Sequence, residues 1–165
     1  MSNASAGEIY GTYLAFVYFT PFLGGMIADR YLGFRRSVFI GGLLMSAGYF
    51  ALGIRSLPTF YSGLVLLCLG NGLFKPNISA MVGNLYEPGD PRRDAGFNIF
   101  YMGINIGAAA SALLAAPLRN LWNFNLAFTA AGVGLLVSVV VLTLNWKGLT
   151  AADPPRTAPN PEDVS

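Results

Sequence analysis

In GNGLFKPNIS, residues 70–79, a lysine followed by a proline interrupts an apolar run, with TFYSGLVLLCL before it and AMVG after. An ammonium near the centre of a membrane-crossing helix costs on the order of 2.5–3.5 kcal/mol on insertion scales. Packing alone would not retain Lys75. With about 100° of rotation per residue, Cys68, Asn71, Lys75 and Ser79 fall within about 40° of one line. That line is small or polar between apolar Leu64 and Val82. Asn77 projects nearly opposite Lys75, in place to bond a neighbouring helix. Pro76 removes a backbone donor and should loosen the turn before it.

Two readings of Lys75 stay open on the residues alone. A lysine can snorkel, its stem covering apolar surface while the ammonium reaches water. Against this, Lys75 stands about eight residues, roughly 12 Å, from the predicted helix end. Otherwise it needs a counter-charge, and the chain's carboxylates are poorly placed: Glu8 and Asp94 lie at helix ends and Asp29 in a loop. The partner is then an anionic substrate or a carboxylate on a helix outside this chain.

Two further stripes match it. Asn98, Tyr101, Asn105, Ala108 and Ala112 recur at intervals of three and four, a helical repeat, and Asn105 offers both donor and acceptor groups. Tyr10, Tyr13 and Thr20 stand at similar spacing. Three polar stripes predict a water-accessible cavity at bilayer depth; hydrogen bonding between helices is the alternative for Asn105 and the tyrosines.

The elements that must carry these stripes follow from composition. Of 165 residues, 54% are apolar and 11% charged, about half the charged share of a soluble domain. This composition predicts an all-α integral membrane protein whose main partner is the lipid bilayer. A helix needs at least about 17 mostly apolar residues to cross the hydrocarbon, and five segments qualify: Ile9–Ala28, Ser37–Ile54, Thr59–Gly83, Ala95–Leu118 and Phe124–Trp146. Pro21 and Gly24-Gly25 are tolerable in a bundle whose neighbours take up freed backbone groups. Gly103/Gly107, Gly42/Ser46 and Gly134/Ser138 have the four-residue spacing that lets helices approach.

Residues 1–8 read as a short leader without signal-peptide features. Residues 147–165, rich in proline and polar side chains, read as a disordered tail. A net charge of +2, with basic residues scattered among short loops, excludes nucleic acid as a partner. Arg30, Arg35, Arg36, Arg92, Arg93, Lys147 and Arg156 share one predicted side, against Arg55 and Arg119 on the other. By the positive-inside rule that side is cytoplasmic, with the N-terminus outside and the C-terminus cytoplasmic. Such a start favours a preceding helix missing from this chain; an intact five-helix protein with a translocated leader is the alternative.

No histidine is present and Cys68 is the sole cysteine. No metal site or cofactor is expected, and no nucleophile and base pair supports an enzyme.

GGMIADRYLGFRRSVFIGG, residues 24–42, resembles the loop between the second and third helices of major facilitator superfamily transporters. Together with GNGLFKPNISAMVGNLY (70–86) and DAGFNIFYMGINIGA (94–108), the chain resembles the proton-dependent oligopeptide transporter family from about Ile9 to Trp146. Ser37, where Thr, Ala or Val is usual, and Ala109, where a larger apolar residue is usual, depart from its pattern. The resemblance implies an incomplete N-terminal six-helix bundle, helices two to six of a transporter in the plasma (inner) membrane. The first helix, with its ExxER acid, and the C-terminal six-helix half are then missing partners.

It further implies that Lys75, Asn105 and Tyr13 contact substrate and that Lys75 takes part in proton coupling. Gly25, Asp29, Arg30, Gly33, Arg35 and Arg36 would form the gating loop. The function implied is part of a proton-coupled importer of di- and tripeptides, not competent for transport alone. Transport of nitrate or another small anion, and a scaffold or partner-subunit role without transport, are the alternatives.

Overall fold

Each of the five apolar stretches forms one long helix. The computed structural model describes residues 3–121 and 123–153, and all regular structure among them is helical. The helices are α1 (Asn3–Ile27), α2 (Phe34–Leu52), α3 (Leu57–Asn84), α4 (Arg92–Leu121) and α5 (Phe124–Leu144). A single π-helical turn, Ala28–Leu32, joins α1 to α2. Four segments, at residues 7–32, 57–84, 92–114 and 124–144, are long and apolar enough to cross a membrane. α2 falls short because Arg35 and Arg36 open it and glycine and serine fill its middle.

Local chemistry explains the boundaries. The leader expected at residues 1–8 is already helical from Asn3, where alanines and Glu8 favour helix. Pro58 stands in the first turn of α3, where its missing N–H loses no bond. Asn123 caps α5, its Oδ1 accepting from Leu126 N–H at 3.1 Å. Asp90 does the same ahead of α4, accepting from Arg92 N–H at 2.8 Å and from the Arg92 guanidinium. The guanidinium's side-chain hydrogen bonds hold the Asp90 carboxyl below its ordinary value.

Neighbouring pairs set the topology. Tyr13 and Val17 of α1 meet Cys68 and Asn71 of α3, so these two helices run parallel. α2 runs antiparallel to α3: a Cβ on Gly41 would lie 2.7 Å from the Gly70 carbonyl, and one on Gly48 would lie 2.9 Å from that of Gly63. Both contacts are reciprocal, and within each helix the two glycines stand one heptad apart. α5 lies along the other side of α2, with Val139 against Gly42 and Phe50 against Gly132. α4 touches α3 near its start, where Arg93 and Phe97 face Gly83, and makes limited contact with α5.

Small and polar residues therefore occupy the interior. Ser37, Ser46 and Asn77 are fully buried, while Tyr18, Phe22, Leu113 and Leu144 point outward. This reverses the pattern of a soluble core and suits a bundle solvated by lipid. Of the three predicted small-residue pairs, only Gly42/Ser46 is buried. A Cβ added at Gly103, Gly107 or Gly134 would meet no other part of the structure within 4 Å among the described residues.

The expected disordered tail is ordered where it begins. Residues 145–153 form turns that fold back over the arginine-rich end of the bundle, and Ala152 is fully buried with Val38 and Met81. The rest of that segment, residues 154–165 with Arg156, and the side chain of Arg119 lie outside the described residues.

Candidate functional site

Two prolines shape the face on which Lys75 sits. Pro21 cannot donate to the Val17 carbonyl, and Pro76 cannot donate to that of Gly72. Both carbonyls lie in the α1–α3 interface. Asn71 Nδ2 donates to the Val17 oxygen at 3.2 Å, replacing the lost helical bond. The Gly72 carbonyl packs directly against Gly24, where a Cβ would collide with it. Asn77, buried as its position opposite Lys75 predicts, donates to Leu73 O at 2.7 Å and to Gly24 O at 3.4 Å.

The polar stripe of α3 thus divides by role. Cys68 and Asn71 are used between helices: Thr20 Oγ1 donates to Cys68 O at 2.9 Å, and Cys68 Sγ lies 3.9 Å from Tyr13 O. Ser79 turns back on Lys75 O at 3.3 Å. Lys75 is exposed, and among the described residues no ion pair or side-chain hydrogen bond engages its ammonium.

The other two predicted contact residues do not join it in one pocket. Tyr13 lines a cavity of about 580 Å³ between α1 and α3, with Glu8, Thr12, Thr20, Tyr61 and Cys68. Lys75 and Asn105 are not among its lining residues. Asn105 is exposed and donates to Tyr101 O of its own helix at 2.9 Å. Every residue of α4 from 101 to 114 is exposed, so among the described residues no other helix covers that part of the stripe.

The predicted loop residues cluster at the arginine-rich end. Gly25 is half-buried in the last turn of α1; Asp29 and Arg30 are exposed in the π turn. Gly33 has φ +78°, a conformation that favours glycine, and its N–H closes the π turn on Ala28 O at 2.8 Å. Arg35 is held on three sides. Its Nε meets Asp153 at 3.2 Å, its Nη1 donates to Trp146 O at 2.8 Å, and its guanidinium lies 5.2 Å from the centre of the Trp146 ring. Arg36 is exposed. Ser37 is fully buried, and its hydroxyl has no partner among the described residues.

A sequence model of the POT family matches residues 35–161. The chain belongs to the POT family. Over 158 residues it is 42% identical to the uncharacterized transporter YclF of Bacillus subtilis, covering 93% of this chain and 32% of that relative. A di-/tripeptide transporter of Lactococcus lactis subsp. cremoris is 39% identical over 99% of this chain and 33% of its own length. Among solved structures, a peptide transporter POT in complex with sulfate superposes with a TM-score of 0.83 at 42% identity, covering 92% of this chain and 32% of the other. A POT family transporter in complex with 5-aminolevulinic acid gives 0.86 at 34% identity, over 98% and 34%.

This POT-family chain therefore spans about a third of the length of those relatives. It is an integral membrane protein whose structural neighbours are major facilitator superfamily transporters. Sequence reasoning missed Asp153 and Trp146, the residues that hold Arg35, because they sit at the edge of a proline-rich stretch with no periodicity. It also grouped Asn71 with Lys75; the pairing of an asparagine on one helix with a proline on the next was the available signal.

Proposed function

We propose that this chain forms part of a proton-coupled importer of di- and tripeptides and that Lys75 receives the peptide carboxylate. The exposed Lys75 ammonium, without a partner among the described residues and about five turns into α3, carries this reading. A lone charge at that depth is retained for a ligand or a partner group. The di-/tripeptide transporter at 39% identity supports the cargo. So does the relative bound to 5-aminolevulinic acid, which like a peptide carries an amine and a carboxylate. Asn105 and Tyr13 would add hydrogen bonds to the peptide, and competition for Lys75 between the cargo and a carboxylate outside this chain would link uptake to protons. The loop from Gly25 through Asp29, Arg30 and Gly33 to Arg35 and Arg36 would set which face is open.

Uptake by the full-length protein carrying this segment tests the reading. Lys75→Ala should abolish proton-driven accumulation of a dipeptide at wild-type surface expression; normal pH-dependent accumulation would defeat the role. A relative in complex with sulfate favours a second cargo class, small anions. A panel of dipeptides, nitrate and sulfate on the same protein separates the two. The arginine-rich end would face the cytoplasm. A cysteine replacing Arg36 should then react with an impermeant thiol reagent only after the cells are permeabilised.

A further inference from the structure

The turns after α5 are fastened to the start of α2 by charge and shape together. One Asp153 oxygen accepts from Phe34 N–H at 2.9 Å, and the other from Arg35 Nε at 3.2 Å. A carboxylate there meets an unpaired helical N–H and the positive end of the helix dipole. Gly33 makes the approach possible, since a Cβ on it would lie 2.9 Å from the same carboxylate. Arg35 continues to the Trp146 carbonyl and ring, so both ends of the segment hold one guanidinium. Its middle is fixed too: Ala152 is fully buried, and its carbonyl accepts from Asn84 Nδ2 of α3 at 3.3 Å. With side-chain exposures of 17% and 16%, Arg35 and Asp153 are shielded more than a surface ion pair.

We infer that Trp146–Asp153 is a strap that sets the conformation of the Gly33–Arg35 corner, with Asp153 as its positioning residue. Without Asp153, the Phe34 N–H loses its acceptor and Arg35 its counter-charge, at a corner whose glycine has alternative conformations open to it. The chain leaving α5 and the loop between α1 and α2 are thereby one energetic unit. Any event that pulls on the chain beyond Asp153 is felt at Arg35. Coupling of this kind is reciprocal: loss of Arg35 must release the strap as loss of Asp153 loosens the corner.

Hydrogen–deuterium exchange of the full protein in lipid nanodiscs tests both directions. Asp153→Ala should speed exchange in peptides covering residues 33–36 by about tenfold, the loss of one charge-assisted bond. Asp153→Asn should give less, because its amide oxygen still accepts from Phe34. Arg35→Gln should speed exchange across residues 147–153 by a comparable factor, while peptides spanning Gly63–Gly70 stay protected in every variant. Should Asp153→Ala unfold the bundle, those control peptides also accelerate, and the Arg35→Gln arm decides. Unchanged exchange at the opposite partner, with the control peptides protected, overturns the strap. Uptake is not a readout, so the result is independent of the cargo proposed above.

Discussion

The α2–α3 seam and the middle of α4 use similar residues and end in opposite surroundings. Gly41, Gly48, Gly63 and Gly70 are all buried at backbone contact, whereas a Cβ added at Gly103 or Gly107 would meet nothing within 4 Å among the described residues. Small residues permit close approach, but they do not choose a partner. The seam exists because two helices carry glycines at the same heptad spacing and present them at the same level. α4 has the favoured four-residue spacing, and among the described residues no helix answers it.

Four substitutions can break or sharpen that contrast. Gly70→Ala should be the most damaging: its Cβ would lie 2.7 Å from Gly41 O and 2.8 Å from Met45 N, backbone atoms that cannot turn away. Overpacking of this kind costs about 1–3 kcal/mol, and a lowered Tm of the detergent-purified protein should report the upper part of that range. An unchanged Tm would mean that α2 and α3 lie further apart.

Asn71→Leu comes next, with an expected loss of about 1–2 kcal/mol as the Val17 carbonyl goes without a donor. Pro21→Ala restores the helical N–H for that carbonyl, so the loss from Asn71→Leu should nearly vanish in its background. Additive losses in the double-mutant cycle would rule out the repair.

Gly103→Ala should change stability by less than about 0.5 kcal/mol, as expected where nothing is touched. A loss as large as at Gly70, measured in the full protein, would show that the α4 stripe packs against helices outside this chain.

Local signals made much of the fold legible. Five apolar runs of spanning length placed the helices to within six residues at every end. Lys75 was legible for the same reason, since a charge in such a run stands out whatever surrounds it. The α1–α3 interface was legible in part: Asn77 was placed facing a neighbour, and Asn71 was not, because its acceptor is a carbonyl freed by a proline about fifty residues earlier. The strap was invisible, since Asp153 acquires meaning only through Phe34 and Arg35, more than a hundred residues away.

By itself, then, the sequence determined the solvent, the helices and the anomalous charge, because hydropathy, proline and glycine act within a turn or two of where they stand. Tertiary structure alone decided which small residues touch, which polar residues repair the backbone and which stay exposed. Those outcomes depend on two helices arriving at one level. Asn71 and Lys75 lie on one face of α3, yet packing gave the first a carbonyl of α1 and left the second exposed.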